Sequence, residues 1–161
     1  MTGPTAIRLD WAIKQSFLEY VSGLDDGEIS AAEPATVTGL GPFSFTAEAD
    51  QRLDIATGFG VLRFRGRAVV SGHFGMMSVT ITDPWVQIDG DGAALTIPDP
   101  DRDPASGKRI EIVRLAVEEP FAPQGFTGIP STLTVEAIGV FNGQYQSGTE
   151  MDPVTIVFAT P

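Results

Sequence analysis

The sequence predicts a mainly β domain, an antiparallel β-sandwich or partly open barrel with one short N-terminal helix at about residues 10–22. Three observations carry that expectation. Eighteen glycines and twelve prolines are scattered through the 161 residues, as many short strands joined by tight turns require. Several stretches alternate apolar with polar residues, the period-two pattern of a strand with one buried face. Only Leu9–Val21, LDWAIKQSFLEYV, shows helical spacing instead, through Ile13, Ser16, Phe17 and Tyr20.

Asp10 is placed to cap this helix, its carboxylate taking a first-turn amide, and Ser22-Gly23 is a plausible stop. Pro34–Thr38 and Phe43–Ala49 follow as strands, the second setting Phe43, Phe45 and Ala47 against Ser44, Thr46 and Glu48. Gly58–Gly72 is the longest strand candidate. Its even positions Leu62, Phe64, Gly66, Ala68 and Val70 form an apolar face, and Arg63, Arg65 and Arg67 occupy the other, read as a solvent-facing stripe rather than an anion site. That second face turns apolar at Val69 before Ser71 and His73, so something should cover it, and the Trp11–Val21 helix is the candidate. Gly72 offers a bulge that would re-aim His73.

Met76–Thr82 and Val86–Asp89 are strands parted by Asp83-Pro84, with Met76 and Met77 read as core. Asp89-Gly-Asp-Gly is a hairpin turn into Ala93–Ile97. Pro98–Lys108 is a polar loop, Arg109–Glu118 a strand and Pro120–Pro130 irregular. Thr132–Val140 and Val154–Ala159 complete the β content.

The totals bound the function. A chain of this length forms one domain, 1–161, burying about two thirds of its unfolded surface. With no cysteine there is neither disulfide nor thiolate metal site. The net charge of −11 repels nucleic acid, so any anionic ligand must be held by local groups. No run of 18 apolar residues could span a membrane. Met1–Leu9 lacks the basic-then-apolar pattern of a signal peptide, so the expected setting is cytoplasmic or that of a trimmed segment.

His73 is the single histidine, which leaves no catalytic triad or multi-histidine metal site to assemble. It lies in Ser71-Gly-His-Phe-Gly and reads either as a hydrogen-bonded structural residue or as a ligand or proton-sharing partner. Tyr20 and Tyr145 are the two tyrosines, set against ten phenylalanines. A chain so free with Phe has reason to need those hydroxyls, although each ring could equally be a half-buried core residue. Asp99-Pro-Asp101-Arg-Asp103 imitates the start of a calcium loop, but Pro104 replaces the required glycine and Ile110 the final glutamate, so it reads as a solvated loop. Glu150 and Asp152 suggest paired carboxylates only weakly.

Four motifs taken in order, LDWAIKQSFLEYV, VVSGHFG, ITDPWVQIDGDGAAL and YQSGTEMDPVT, resemble the Htaa domain of actinobacterial haem-uptake proteins, over about 9–158. The resemblance implies a mostly β fold and haem capture, storage or relay in haem uptake or trafficking, not catalysis. It implies that Tyr20 ligates ferric haem b and that His73 hydrogen-bonds the ligating oxygen. It further implies that Ser16 and Tyr145 meet the propionates. Haem is then the ligand and another haem-transport protein the partner, at the cell envelope or outside the cell. The chemistry is coherent, because ferric iron is a hard acceptor suited to phenolate. A free phenol titrates near about 10, so the metal must displace its proton, and a neighbouring imidazole steadies the anion formed. The competing expectation is a cell-surface β-sandwich that binds a carbohydrate or protein without haem.

Overall fold

The computed structural model describes residues 3–120 and 122–160. Met1, Thr2 and Pro161, at the ends of the expected 1–161 domain, and Phe121, within the irregular Pro120–Pro130 stretch, lie outside the described residues. Twelve strands and one α-helix form among those described. They are β1 (Ala6–Trp11), α1 (Gln15–Ser22), β2 (Glu28–Ala32), β3 (Thr36–Val37), β4 (Phe43–Ala47), β5 (Gly60–Arg65) and β6 (Arg67–Gly72). Then come β7 (Met77–Thr82), β8 (Trp85–Asp89), β9 (Gly92–Pro98), β10 (Arg109–Leu115), β11 (Ile129–Leu133) and β12 (Glu150–Phe158).

The mainly β, antiparallel architecture matches the expectation and takes the barrel form. The large sheet runs β1-β12-β11-β10-β9-β8-β5-β4-β3, and an additional β1–β4 pairing closes eight of its strands on themselves. β1 therefore pairs on both edges, Leu9 lying opposite Ile156 of β12 and opposite Phe45 of β4. A second sheet, β2-β6-β7, packs its buried Ala68, Val70, Val79 and Ile81 into the same core. At the centre, Leu9, Trp11, Phe43, Phe45, Leu62, Phe64 and Leu95 are fully buried. No helix among the described residues is long and apolar enough to cross a membrane.

Four expectations need correction. The helix starts at Gln15, because Leu9 and Trp11 alternate with Asp10 as β1 and close the barrel. Asp10 is consequently not its cap; its carboxylate accepts the Ser44 hydroxyl at 2.7 Å and pairs with Arg8. The single long strand Gly58–Gly72 is two strands in different sheets, parted at Gly66. Gly66 has φ +124°, and Asp83 grips it from both sides: its carboxylate accepts the Gly66 amide at 3.0 Å and its own amide donates to the Gly66 carbonyl at 2.8 Å. Finally, Thr132–Val140 leaves the sheet after Leu133 and continues as turns.

The alternation within Gly58–Gly72 survives that break, with Leu62, Phe64, Ala68 and Val70 buried and Arg63, Arg65 and Arg67 exposed. Arg63 and Arg109 both lie over the Trp85 ring, at 4.3 and 3.8 Å from its centroid. Arg109 spends its guanidinium on the Asp83 and Thr96 carbonyls and the Thr96 hydroxyl. Burial lowers its pKa to about 10, with nearby Asp83 opposing the shift.

Candidate functional site

The site begins with α1, whose position a distant residue sets. Lys14 precedes the helix in extended conformation and gives it no side-chain cap. The cap arrives instead from β12, where the Asp152 carboxylate accepts the Gln15 amide at 3.0 Å. The Asp152 carbonyl accepts the Trp11 indole N–H at 2.9 Å and the Ser131 hydroxyl at 2.8 Å. Its amide donates to the carbonyl of Ile13, a buried residue at φ +66°. Asp152 thus fixes the direction in which the chain turns from β1 into α1, and Glu150 contributes a carbonyl to Lys14 at 3.0 Å. Neither carboxylate is arranged as one of an acid–base pair.

Phe17, Leu18 and Val21 form the buried side of α1. Ser16 and Tyr20, which helical spacing assigned to the Phe17 side, are exposed, Tyr20 to 51%. α1 packs against β2 and β6, as expected for the element covering the end of the His73-bearing strand. The loop after it folds back tightly. A β-carbon on Gly27 would lie 2.0 Å from the Val21 carbonyl oxygen, and one on Gly72 would lie 2.6 Å from the Leu24 side chain.

The β6–β7 pairing runs without a bulge from Arg67↔Thr82 to Gly72↔Met77. Gly72 is ordinary extended backbone, and its role is to leave room for Leu24. The turn that re-aims His73 consists of His73, Phe74 and Gly75, with φ of +52°, +58° and +84°. A left-handed residue carrying a β-carbon costs about 1–3 kcal/mol, so two in succession need an external hold. Asp26 supplies it: one carboxylate oxygen accepts the His73 amide at 3.2 Å and the other accepts the Phe74 amide.

The turn delivers His73 Nε2 to 2.7 Å from the Tyr20 hydroxyl, with ring centroids 5.8 Å apart. The structure therefore brings together two of the three residues singled out for their rarity. Beside them Phe74 is 96% exposed and Met76 83% exposed, so Met76 is not core, whereas Met77 is buried. Tyr145 stands apart from this pair. Its half-buried ring meets Phe17 and Phe141 edge-on, at 6.2 and 6.1 Å, with the Lys14 ammonium 5.7 Å from its centroid. Burial raises its pKa, so Tyr145 stays a neutral phenol, fit to donate a hydrogen bond. Ser16 lies on α1 one turn before Tyr20. The aspartate loop is solvated: Asp99 and Asp103 accept the amides of Asp101 and Ala105. No acidic or histidine cluster fit for a metal ion occurs among the described residues.

Sequence reasoning missed Asp26, Lys14 and the capping role of Asp152. The signals were faint: an acidic pair before Gly27, and an aspartate before Pro153. The Asp26 pKa is lowered below its ordinary 3.8, chiefly by the Phe74 amide and also by the His73 amide. A depressed carboxyl pKa means that the hold on the turn is complete above the unfolded value and is lost as pH falls through the folded one. In a pH titration by NMR, the His73 and Phe74 amides should therefore move together with a midpoint below 3.8. A midpoint at or above that value would remove the clasp.

A family model described as Htaa matches residues 6–157. No curated protein sequence matches the chain. Among solved structures, the chain is similar to the N-terminal domain of HtaA from Corynebacterium glutamicum, at 18% identity and a TM-score of 0.74, covering 98% of this chain and 99% of that one. It is also similar to the heme binding protein HtaB from the same organism, at 17% identity and a TM-score of 0.69, covering 97% and 95%. The C-terminal domain of HtaA gives 19% identity and a TM-score of 0.65, covering 96% of each chain. At such identities the structural likeness is one of fold.

Proposed function

The chain belongs to the Htaa family, whose model spans nearly all of it, and from that premise we propose that it binds ferric haem b as cargo, through the Tyr20 oxygen. The observation that carries the reading is the 2.7 Å contact between the Tyr20 hydroxyl and His73 Nε2 at an exposed surface. The donor set fits the group: a phenol oxygen open to solvent, an imidazole touching it, and exposed apolar side chains beside both. A bound ferric haem supplies a Lewis-acidic iron that favours an anionic oxygen ligand.

His73 serves two proton states of one contact. While Tyr20 is a phenol, its O–H donates to the Nε2 lone pair; once Tyr20 is a phenolate, Nε2–H donates to its oxygen. The imidazole thus receives the displaced proton at Nε2 and then stabilises the anion. Phe74 and Met76 offer apolar and polarisable surface to a flat macrocycle. Ser16 and Tyr145 supply hydroxyls to the propionates, and the Lys14 charge near Tyr145 favours a carboxylate on an otherwise acidic protein. The role is binding and transfer to a haem-transport partner rather than catalysis.

The test is a ferric-haem titration followed by absorption and resonance Raman spectra, on the wild type and His73→Ala. The wild type should saturate at one haem per chain with tyrosinate-to-iron bands. His73→Ala should keep the stoichiometry and bind about tenfold more weakly, as expected when a group orienting a metal ligand is lost. A wild type that does not saturate would sink the haem reading and leave the fold to a carbohydrate or protein ligand.

A further inference from the structure

We infer that Asp26 is the positioning residue of this site, holding His73 in the conformation that meets Tyr20. His73 and Phe74 are consecutive left-handed residues, and the two oxygens of Asp26 take their two amides, one each. Among the described residues, the backbone bond that closes this turn runs from the Met76 amide to the His73 carbonyl at 3.1 Å. That bond closes the turn without selecting the left-handed backbone at its first two residues. By accepting both amides, Asp26 ties the first two residues of the turn to one side chain and offsets the cost of their left-handed backbone.

Asp26 can do this because its own place is tied to Tyr20. It lies six residues after the tyrosine, in a loop pressed onto the last turn of α1. The Leu24 amide donates to the Val21 carbonyl at 3.0 Å and the Gly27 amide to the Leu24 carbonyl at 3.2 Å. Gly27 leaves no space for a side chain, and Leu24 fills the space above Gly72. β2 then leaves the loop already paired with β6, Glu28 opposite Ser71. The helix bearing the phenol and the turn bearing the imidazole are thereby referenced to one short segment. Asp26 sets the separation of the two rings without touching the ligand.

The decisive measurement is made without haem. In wild-type protein labelled at histidine nitrogen, the Nε2 resonance should report the hydrogen bond to Tyr20. Asp26→Ala should abolish that signature, Asp26→Asn, with a single carbonyl oxygen, should weaken it, and Asp25→Ala should leave it intact. Phe74→Gly added to Asp26→Ala should restore it, since glycine adopts the left-handed turn without help. A general loss of structure could not be rescued that way. Retention of the wild-type Nε2 signature in Asp26→Ala would overturn the inference. A second arm rests on the haem reading above: Asp26→Ala should bind ferric haem about tenfold more weakly, close to His73→Ala. If the Nε2 signature responds as described while the wild type takes up no haem, Asp26 keeps its positioning role and the haem reading is the one that fails.

Discussion

Tyr20→Phe is expected to lose at least about 100-fold in ferric-haem affinity, more than the 10–100-fold typical of residues that merely orient a ligand. The substitution deletes one oxygen and keeps the ring. Tyr20 is half exposed on a helix whose packing rests on Phe17, Leu18 and Val21, so removing the hydroxyl should leave the folding midpoint within about 0.5 kcal/mol of wild type. Ligation and stability should thus separate cleanly. Resonance Raman spectra of whatever complex remains should lack tyrosinate bands. Tyr145 cannot take over, because its ring is wedged between Phe17 and Phe141 and burial disfavours its phenolate. Tyrosinate bands persisting in Tyr20→Phe would assign the ligand to Tyr145 and reverse the two roles. Wild-type affinity without such bands would mean that iron is held by another group altogether.

The largest expected effect on stability lies far from the site. Gly66→Ala should destabilise the fold by about 3 kcal/mol or more, from two independent causes. Its φ of +124° lies where backbone with a β-carbon is strained. The new methyl would also lie 2.3 Å from the Ala35 β-carbon and 2.6 Å from the Ala35 amide nitrogen, against backbone that cannot swing aside. Gly66 is the point where one continuous alternating run passes from the barrel into the second sheet, so the strain falls on the junction of the two. Urea unfolding would measure it against Gly90→Ala, where nothing lies within 4 Å of the added carbon and the change should stay within about 0.5 kcal/mol. A Gly66→Ala midpoint equal to that of Gly90→Ala would show that the junction relaxes freely.

Both predictions concern residues legible in the sequence, though for different reasons. Tyr20 and His73 stood out by scarcity and by their motifs, and the helix carrying Tyr20 and the strand that leads to His73 were recognisable from periodicity. The alternation of Leu62, Phe64, Ala68 and Val70 with three arginines gave the buried face correctly, because side-chain direction in a strand follows local geometry alone. Gly66 was visible only as a member of that apolar row. Nothing nearby in the chain announces that the row changes sheets there; Ala35 and Asp83, which occupy its two sides, are distant in sequence.

The same distinction explains Leu9–Trp11. Leu9, Trp11 and Ile13 recur at a strand's period of two, while Ile13 also begins the helical spacing that continues through Phe17. What decides is that β12 and β4 both pair with this segment, which closes the eight strands on themselves and completes the barrel. The cap passes from Asp10 to Asp152 for that reason: once Asp10 is inside a strand, the cap on α1 must come from elsewhere, and it comes from β12. The sequence by itself determined the fold class, the buried face of the strands on either side of Gly66 and the two groups that meet at the site. Tertiary structure alone decided where the helix begins, where the long strand breaks and which carboxylate holds His73 against Tyr20. Those outcomes depend on hydrogen-bonding partners remote along the chain, and a local pattern carries no record of the partner that closure of a barrel will bring.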